Sequence, residues 1–511
     1  MPTRQSYSKS VSFGALTFVS LTLLGIGSSI AVARLYGIVT VGEVALVLAP
    51  GAAMALLAAV KVQAALVREL SLLEPRAPRI TGLFWAAYAF GAGSSMLAGL
   101  IVGVGTWIVF TGPIDRPDLL PLAFVNIASV IVVNRACNTL DIVFSSFRAG
   151  RQLFWIRLWT ALSYVGIAVA GAIILDNAWG LLLAQIGSNV TSLVHRMAYA
   201  GRLMRARISA RELRDGFRAL PDLIRFGLKV APGRLADGVA DQAGVWILGT
   251  VAPIAAVGAW SRAWTLGSRL YGAAEYANEM LLPTLVERHH KGHAKGFDRS
   301  LIDSARYAAV GMLLAASAGG GAAVGVMQLF GAGFERGAGA LAALLVLPAL
   351  ASVATILDTA LLAMNRPGQT TLVSLARLAI TVTASVGLTL WIGITGTALA
   401  LVLGYFGILG WLAVLAQQHL SAPIRSLWPI REGLALLVAY GTGFAAARAV
   451  DVLIDGPAGV LVALAAGGAA FVIAFVAASG VNDRDRERLR WLMGAIRARR
   501  MRGPDPAVDP S

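Results

Sequence analysis

Hydrophobic residues along this chain gather in runs of about 20 or more, each closed by a short polar break. Fourteen runs can be traced, near 13–35, 43–66, 82–110, 119–144, 153–175, 178–198, 224–249, 254–284, 304–331, 337–363, 370–393, 396–418, 431–450 and 457–479. At 1.5 Å per residue, about 20 apolar residues reach across the roughly 30 Å hydrocarbon core of a bilayer. Each run therefore predicts a transmembrane helix, and the expected fold class is an all-α polytopic membrane protein of about 14 spans. The runs occupy about two thirds of the chain, so connections are short and no soluble domain fits between them. Two longer polar stretches, 199–222 and 480–511, are basic and suit surface helices, not a core. The first run follows Arg4 and Lys9 and ends in Ala-Val-Ala at 31–33, as a signal-peptide cleavage site does. It exceeds the roughly 7–15-residue apolar core of such peptides and is read as a retained first span.

Charge gives these spans a direction. With the N-terminus inside, the inner loops collect Arg68, Arg76, Arg79, Arg148, Arg151, the run from Arg202 to Arg218, Arg288, Lys291, Lys295, Arg299, Arg366, Arg425 and the tail from Arg484 to Arg502. The outer loops hold Arg116 and Arg336 beside Asp115, Asp118, Asp176, Glu335, Asp451 and Asp455. The positive-inside rule then places both termini in the cytoplasm and supports an even number of spans. The formal charge of +16 reads as topology and attraction to anionic headgroups, not as nucleic-acid binding, because the basic clusters lack interleaved aromatics and a folded module. Cys137 is the only cysteine, which excludes an internal disulfide and a cysteine-rich metal motif.

The basic stretch after the sixth run divides the chain. The organisation expected is an N-terminal six-helix bundle over 1–200, a basic cytoplasmic linker over 201–222, a C-terminal six-helix bundle over 223–420, two extra helices over 421–480 and a basic cytoplasmic tail over 481–511. Two six-span halves share one orientation, as parallel repeats do, although internal sequence similarity is weak.

Ionisable residues inside the runs are the chemically informative positions. A charged side chain at mid-membrane costs roughly 2.5–3.5 kcal/mol on insertion scales, so such groups face a bundle interior or a wet cavity. Arg234, Asp237 and Asp241 fall at i, i+3 and i+7 on one face of the seventh span, in a helix softened by Pro232, Gly233, Gly238, Gly244 and Gly249. Arg262 and Arg269 share a face of the eighth span with Tyr276, with Glu275 and Glu279 to the side. Asn134, Asn138 and Asp141 form a stripe on the fourth span beside Arg135. Lys61 and Gln63, Arg157, Asp358 and Arg377 lie in further runs. Cations outnumber carboxylates in this set, which points to a central site for an anion held within the bilayer, lined by Arg234, Arg262, Arg269, Arg135, Lys61 and Arg377. Asp237 and Asp241, one turn apart, suit uptake of a proton or sodium ion, with Asp241 preferred because it lies further from Arg234. The alternatives are plain: Arg234 and these carboxylates as a structural ion pair, Glu275 and Glu279 as partners of Arg269, and Arg34, Arg157, Arg225 and Lys229 as headgroup anchors. His289, His290 and His293 read as a solvated basic loop rather than a metal site.

Enzyme signatures are missing: the sequence holds no GxxxxGK[ST], HExxH or GxSxG motif, and the outer loops are too short to build a glycosyl-transfer site.

Two stretches carry a resemblance. "ARLYGIVTVGEVALVLAP" (33–50) resembles the first inter-span loop of polysaccharide flippases. "FGLKVAPGRLADGVADQAGVWILGTVAPIAAVGAWSRAWTLGSRLYGAAEYANEMLLPTLVERH" (226–289) resembles the start of their second half, with its Phe-Gly entry, an acidic residue before Ile-Leu-Gly, and a Pro before a basic inner loop. The family is the multidrug/oligosaccharidyl-lipid/polysaccharide (MOP) exporter superfamily, in its lipid-linked oligosaccharide flippase branch. The resemblance implies two six-helix bundles alternating between inward- and outward-open forms around a cationic cavity, in a bacterial plasma membrane. It implies a polyprenyl-diphosphate-linked glycan as substrate, membrane lipids and other polysaccharide-assembly proteins as partners, no cofactor beyond a coupling H+ or Na+, and no enzymatic activity. It places Arg234 and Arg262 in the matching stretch, where Arg suits a diphosphate through its planar donors. Alternatives are a cation-coupled drug antiporter of the same fold and a multi-span glycosyl-lipid synthase or polymerase.

Overall fold

The computed structural model describes residues 7–57, 66, 70, 77–147, 150–204, 209–291, 293–364, 366–418, 420–421, 423–424, 428–478 and 480. Among these there are helices and short turns but no strand. That is what a chain of apolar runs must form in lipid, where each backbone N–H and C=O has to be satisfied within its own segment. In chain order the helices are α1 Tyr7–Leu57, α2 Pro78–Thr111, α3 Leu120–Ser129, α4 Arg135–Ser146, α5 Gly150–Ile174, α6 Ala178–Leu203, α7 Ala210–Val251, α8 Ile254–His290, α9 Ala294–Gly321, α10 Ala323–Gln328, α11 Ala338–Ala363, α12 Pro367–Gln417, α13 Ile430–Leu453 and α14 Gly456–Ala477.

Eight helical stretches among the described residues are long and apolar enough to cross a membrane. The difference from the fourteen apolar runs has two sources. Ser20–Ala55 and Gly368–Gln417 each hold two runs in one continuous helix, and α6 to α9 carry the polar side chains described below. The joined runs are separated by kinks at positive-φ glycines: Gly37 (φ 74°, ψ 172°) in α1, and Gly393 (φ 60°, ψ −137°) beside Ile392 in α12. Glycine reaches this region without the Cβ penalty that other residues meet. Between α3 and α4 the helix opens into one π turn, Val130–Asn134.

The stretch expected as a linker over 201–222 divides differently. Its first residues complete α6, and Ser209 starts α7 with a capping box: the Glu212 N–H donates to Ser209 Oγ at 3.2 Å, and the Ser209 N–H donates to the Glu212 carboxylate at 3.1 Å. Residues 210–222 are thus the opening turns of a 42-residue helix that carries on through the seventh run. Large apolar side chains point outward from many helices, among them Leu100, Ile173, Trp391 and Leu453, a surface suited to lipid rather than water.

Two crossings join the N-terminal and C-terminal halves. Where α1 meets α8, Gly42 and Gly258 lie against each other's helix backbone, and a Cβ at either would strike a carbonyl oxygen of the opposite helix. Where α2 meets α7, Gly82 and Gly216 repeat the arrangement. About 35 residues of α7 separate Gly216 from the turn that leads into α8, roughly 50 Å, so the crossings sit at opposite ends of the molecule. Arg34 belongs to the first of them: its side chain is exposed and its Nε donates to the Leu329 carbonyl at 2.7 Å, a link between halves. The last two helices pack on α9, tied by Arg306 to Glu432 at 2.7 Å and by Asp451, which accepts from the Gly325 N–H at 3.1 Å.

Candidate functional site

Among the described residues the mid-membrane charges do not converge on one cavity; they divide among three places. In the C-terminal half, α7 presents Asp237 and Asp241 on successive turns toward α12. Arg377 of α12 bridges them, with Nη1 3.0 Å from Asp237 Oδ1 and Nη2 bonded to Asp241. Ser374 Oγ donates to the other oxygen of Asp237 at 3.1 Å, and the guanidinium carbon lies 3.8 Å from the Tyr405 ring centre. The Tyr405 hydroxyl meets that of Tyr271 at 3.5 Å, and Asp241 borders a cavity of about 50 Å³ with Trp264 and both tyrosines. Arg377 is 1% exposed. Among the described side chains the cluster, fully ionised, carries two carboxylates to one guanidinium, a net charge of −1. Arg377 is therefore spent on its own carboxylates and does not present a free cation to an anionic ligand, contrary to the expectation for it.

Spacing alone did not point to Arg377 as a partner of these carboxylates. Asp237 and Asp241 share a helical face with Arg234, and the partner found for them among the described side chains is Arg377, 136 residues beyond Asp241. The side chain of Arg234 and the whole of Lys61 lie outside the described residues.

The second place is the seam between halves. Arg262 and Arg269, two turns apart on α8, both reach α1. Arg262 Nη1 donates to Ser29 Oγ at 2.7 Å, while its Nε is buried without a partner. Arg269 is exposed and lays its guanidinium over Gly25, in space that any larger residue would fill. Among the described residues no carboxylate lies within ion-pair distance of either.

The third lies within the N-terminal half. The π turn, α4 and α6 enclose, with α1, a cavity of about 480 Å³. Arg135, Asn134 and Asn138 line it as their stripe predicts, facing Gln185, Asn189 and Arg196 from α6. Asp141 turns away to hold Arg196 in a two-point pair, 2.8 Å at Nε and 3.0 Å at Nη2. Arg135 Nε is buried and unpartnered. Sequence reading missed the α6 side of this cavity, although the signal was available: Gln185, Asn189, Ser192 and Arg196 recur at steps of four, three and four residues, one polar stripe along an apolar run.

A family model described as "Polysaccharide biosynthesis protein" matches residues 31–287. No curated protein matches the chain. Among solved structures, the chain is similar to the lipid II flippase MurJ in an inward closed conformation, at 12% identity and a TM-score of 0.67, covering 91% of this chain and 98% of that one. It is similar to an inward-facing multidrug resistance MATE family transporter of the MOP superfamily at 15% identity and a TM-score of 0.53, covering 79% and 98%. A mutant of the Vibrio cholerae MATE transporter VcmN follows at 14% identity and a TM-score of 0.51, covering 80% and 95%.

Proposed function

Because this chain belongs to the polysaccharide biosynthesis protein family and has the fold of the MOP superfamily, we propose that it is a flippase carrying a polyprenyl-diphosphate-linked glycan from the cytoplasmic to the outer leaflet by alternating access. In this reading the protein crosses a bacterial plasma membrane about 14 times with both termini cytoplasmic, as the inner-loop arginines require. The observation that carries the reading is the pair Arg262 and Arg269 at the seam, two cations facing the opposite half with no carboxylate partner among the described residues. A guanidinium there can grip two oxygens of a diphosphate at once, and moving the halves apart would expose the pair first to one side and then to the other.

The Asp237–Arg377–Asp241 cluster is the coupling element of the same proposal. It becomes electroneutral on taking up one monovalent cation, a proton or Na+, and Asp241, which borders the small cavity, is the acceptor. A drug antiporter for cationic compounds would require an anionic cavity, whereas the larger cavity is lined by carboxamides and two arginines and by no carboxylate.

Replacement tests the seam. Arg262→Ala and Arg269→Ala proteins should insert at normal levels while lipid-linked glycan accumulates on the cytoplasmic leaflet, since each lost charge-assisted hydrogen bond is worth about 1.5–3 kcal/mol. Arg→Lys should restore export only in part. Wild-type export by both alanine variants would remove these residues from the site.

A further inference from the structure

Resting on the flippase reading, we propose that the cavity inside the N-terminal half is the subsite for the glycan, and that through Arg135 it selects a sugar bearing a carboxylate, such as a uronic acid. Its volume of about 480 Å³ is within the roughly 300–1,000 Å³ of small-ligand sites. Its lining is what a sugar needs. Asn134, Asn138, Gln185 and Asn189 all face it, and none of the four side chains hydrogen-bonds to protein among the described residues. All four are at least partly exposed, Asn138 most of all, so their amide groups are accessible to a ligand entering the cavity. Four uncommitted carboxamides around one cavity are therefore a set of ligand-facing donors and acceptors, and each carboxamide offers both roles, matching hydroxyls that themselves donate and accept.

The charge in the cavity narrows the class. Arg196 is matched by Asp141, so Arg135 is the one uncompensated cation among the lining residues. Gly91 of α2 lets the Arg135 guanidinium lie directly on that helix, and the π turn just before Arg135 brings Asn134 and Asn138 to the same wall. One guanidinium fits one carboxylate through two parallel N–H···O bonds. A diphosphate brings more than one negative charge with a single cation to offset it, and its oxygens only accept, so it would use the amide N–H groups and leave the carboxamide carbonyls without the donors that sugar hydroxyls supply. That charge belongs at the seam with Arg262 and Arg269.

The test is saturable binding to the purified full-length protein of three probes: a disaccharide of glucuronic acid and glucose, its neutral glucose–glucose counterpart, and inorganic diphosphate. The acidic disaccharide should bind about tenfold to a hundredfold more tightly than the neutral one. Arg135→Gln should abolish that preference, bringing the two sugars together. Arg135→Lys, which keeps the charge, should retain most of it and so exclude misfolding as the cause. Asn189→Ala should weaken both sugars alike. Equal binding of the two sugars by wild type, absence of binding by either, a preference that survives Arg135→Gln, or diphosphate displacing the acidic sugar in wild type would each overturn the assignment. The flippase reading fails separately, by export that is indifferent to Arg262 and Arg269.

Discussion

Arg377 shows how one residue decides what its neighbours can do. Buried against the Tyr405 ring and bonded to two carboxylates, it turns Asp237 and Asp241 from a repelling pair into a cluster with a single excess charge. Arg377→Ala should leave those carboxylates facing each other without a cation, at a cost of about 3–5 kcal/mol, read as a lowered unfolding temperature in detergent or as loss of folded protein. Asp241→Asn leaves one carboxylate opposite one guanidinium, an electroneutral pair, and should fold normally. In liposomes that variant should transport without the acceleration that an imposed proton or sodium gradient gives wild type. A stable variant that still responds to the gradient would return Asp241 to a purely structural role.

At the scale of the helix, the informative features are interruptions. Positive-φ glycines let α1 and α12 each carry two apolar runs, and the π turn before α4 sets the face that Arg135 and Asn138 present. The reciprocal glycine pairs matter differently, because the halves approach to backbone contact at both crossings. Gly216→Leu should force α7 from α2 at one end, and Gly258→Leu should force α8 from α1 at the other, each by overpacking of about 1–3 kcal/mol. Spin-label distances across the two ends should therefore lengthen only at the end carrying the substitution. Lengthening at both ends, or at neither, would show that the crossings are not independent contacts between halves.

For the whole molecule, the described residues place the charged clusters in a helical body with an apolar exterior, and the positive-inside rule predicts its orientation from where the arginines fall along the chain. In a Cys137→Ser background, Asp115→Cys and Asp485→Cys should be labelled by a membrane-impermeant thiol reagent from opposite sides, with residue 115 reached from outside intact cells. Labelling of both from one side would overturn the orientation and the even span count together.

Much of this was legible in the sequence because hydrophobic run length and helical period are local quantities. They marked the apolar runs and the faces shared by Asp237 with Asp241, by Arg262 with Arg269, and by Asn134 with Asn138, while the kinks at Gly37 and Gly393 came only with the structure. They also held the α6 stripe from Gln185 to Arg196, which went unread because a Gln, an Asn and a Ser do not stand out as charges do. What periodicity cannot supply is the neighbour: it fixes a side chain's direction around its own helix axis but not which other helix fills that direction. Spacing could offer Asp237 and Asp241 only Arg234, on their own helix; packing brought α12 and Arg377 against them. A set of cations that reads as one site along the chain divides, among the described residues, into a cluster where Arg377 is matched by two carboxylates, a seam and a cavity of about 480 Å³, because contacts spanning well over a hundred residues, such as Arg377 with Asp241 and Arg262 with Ser29, exist only once the helices have assembled.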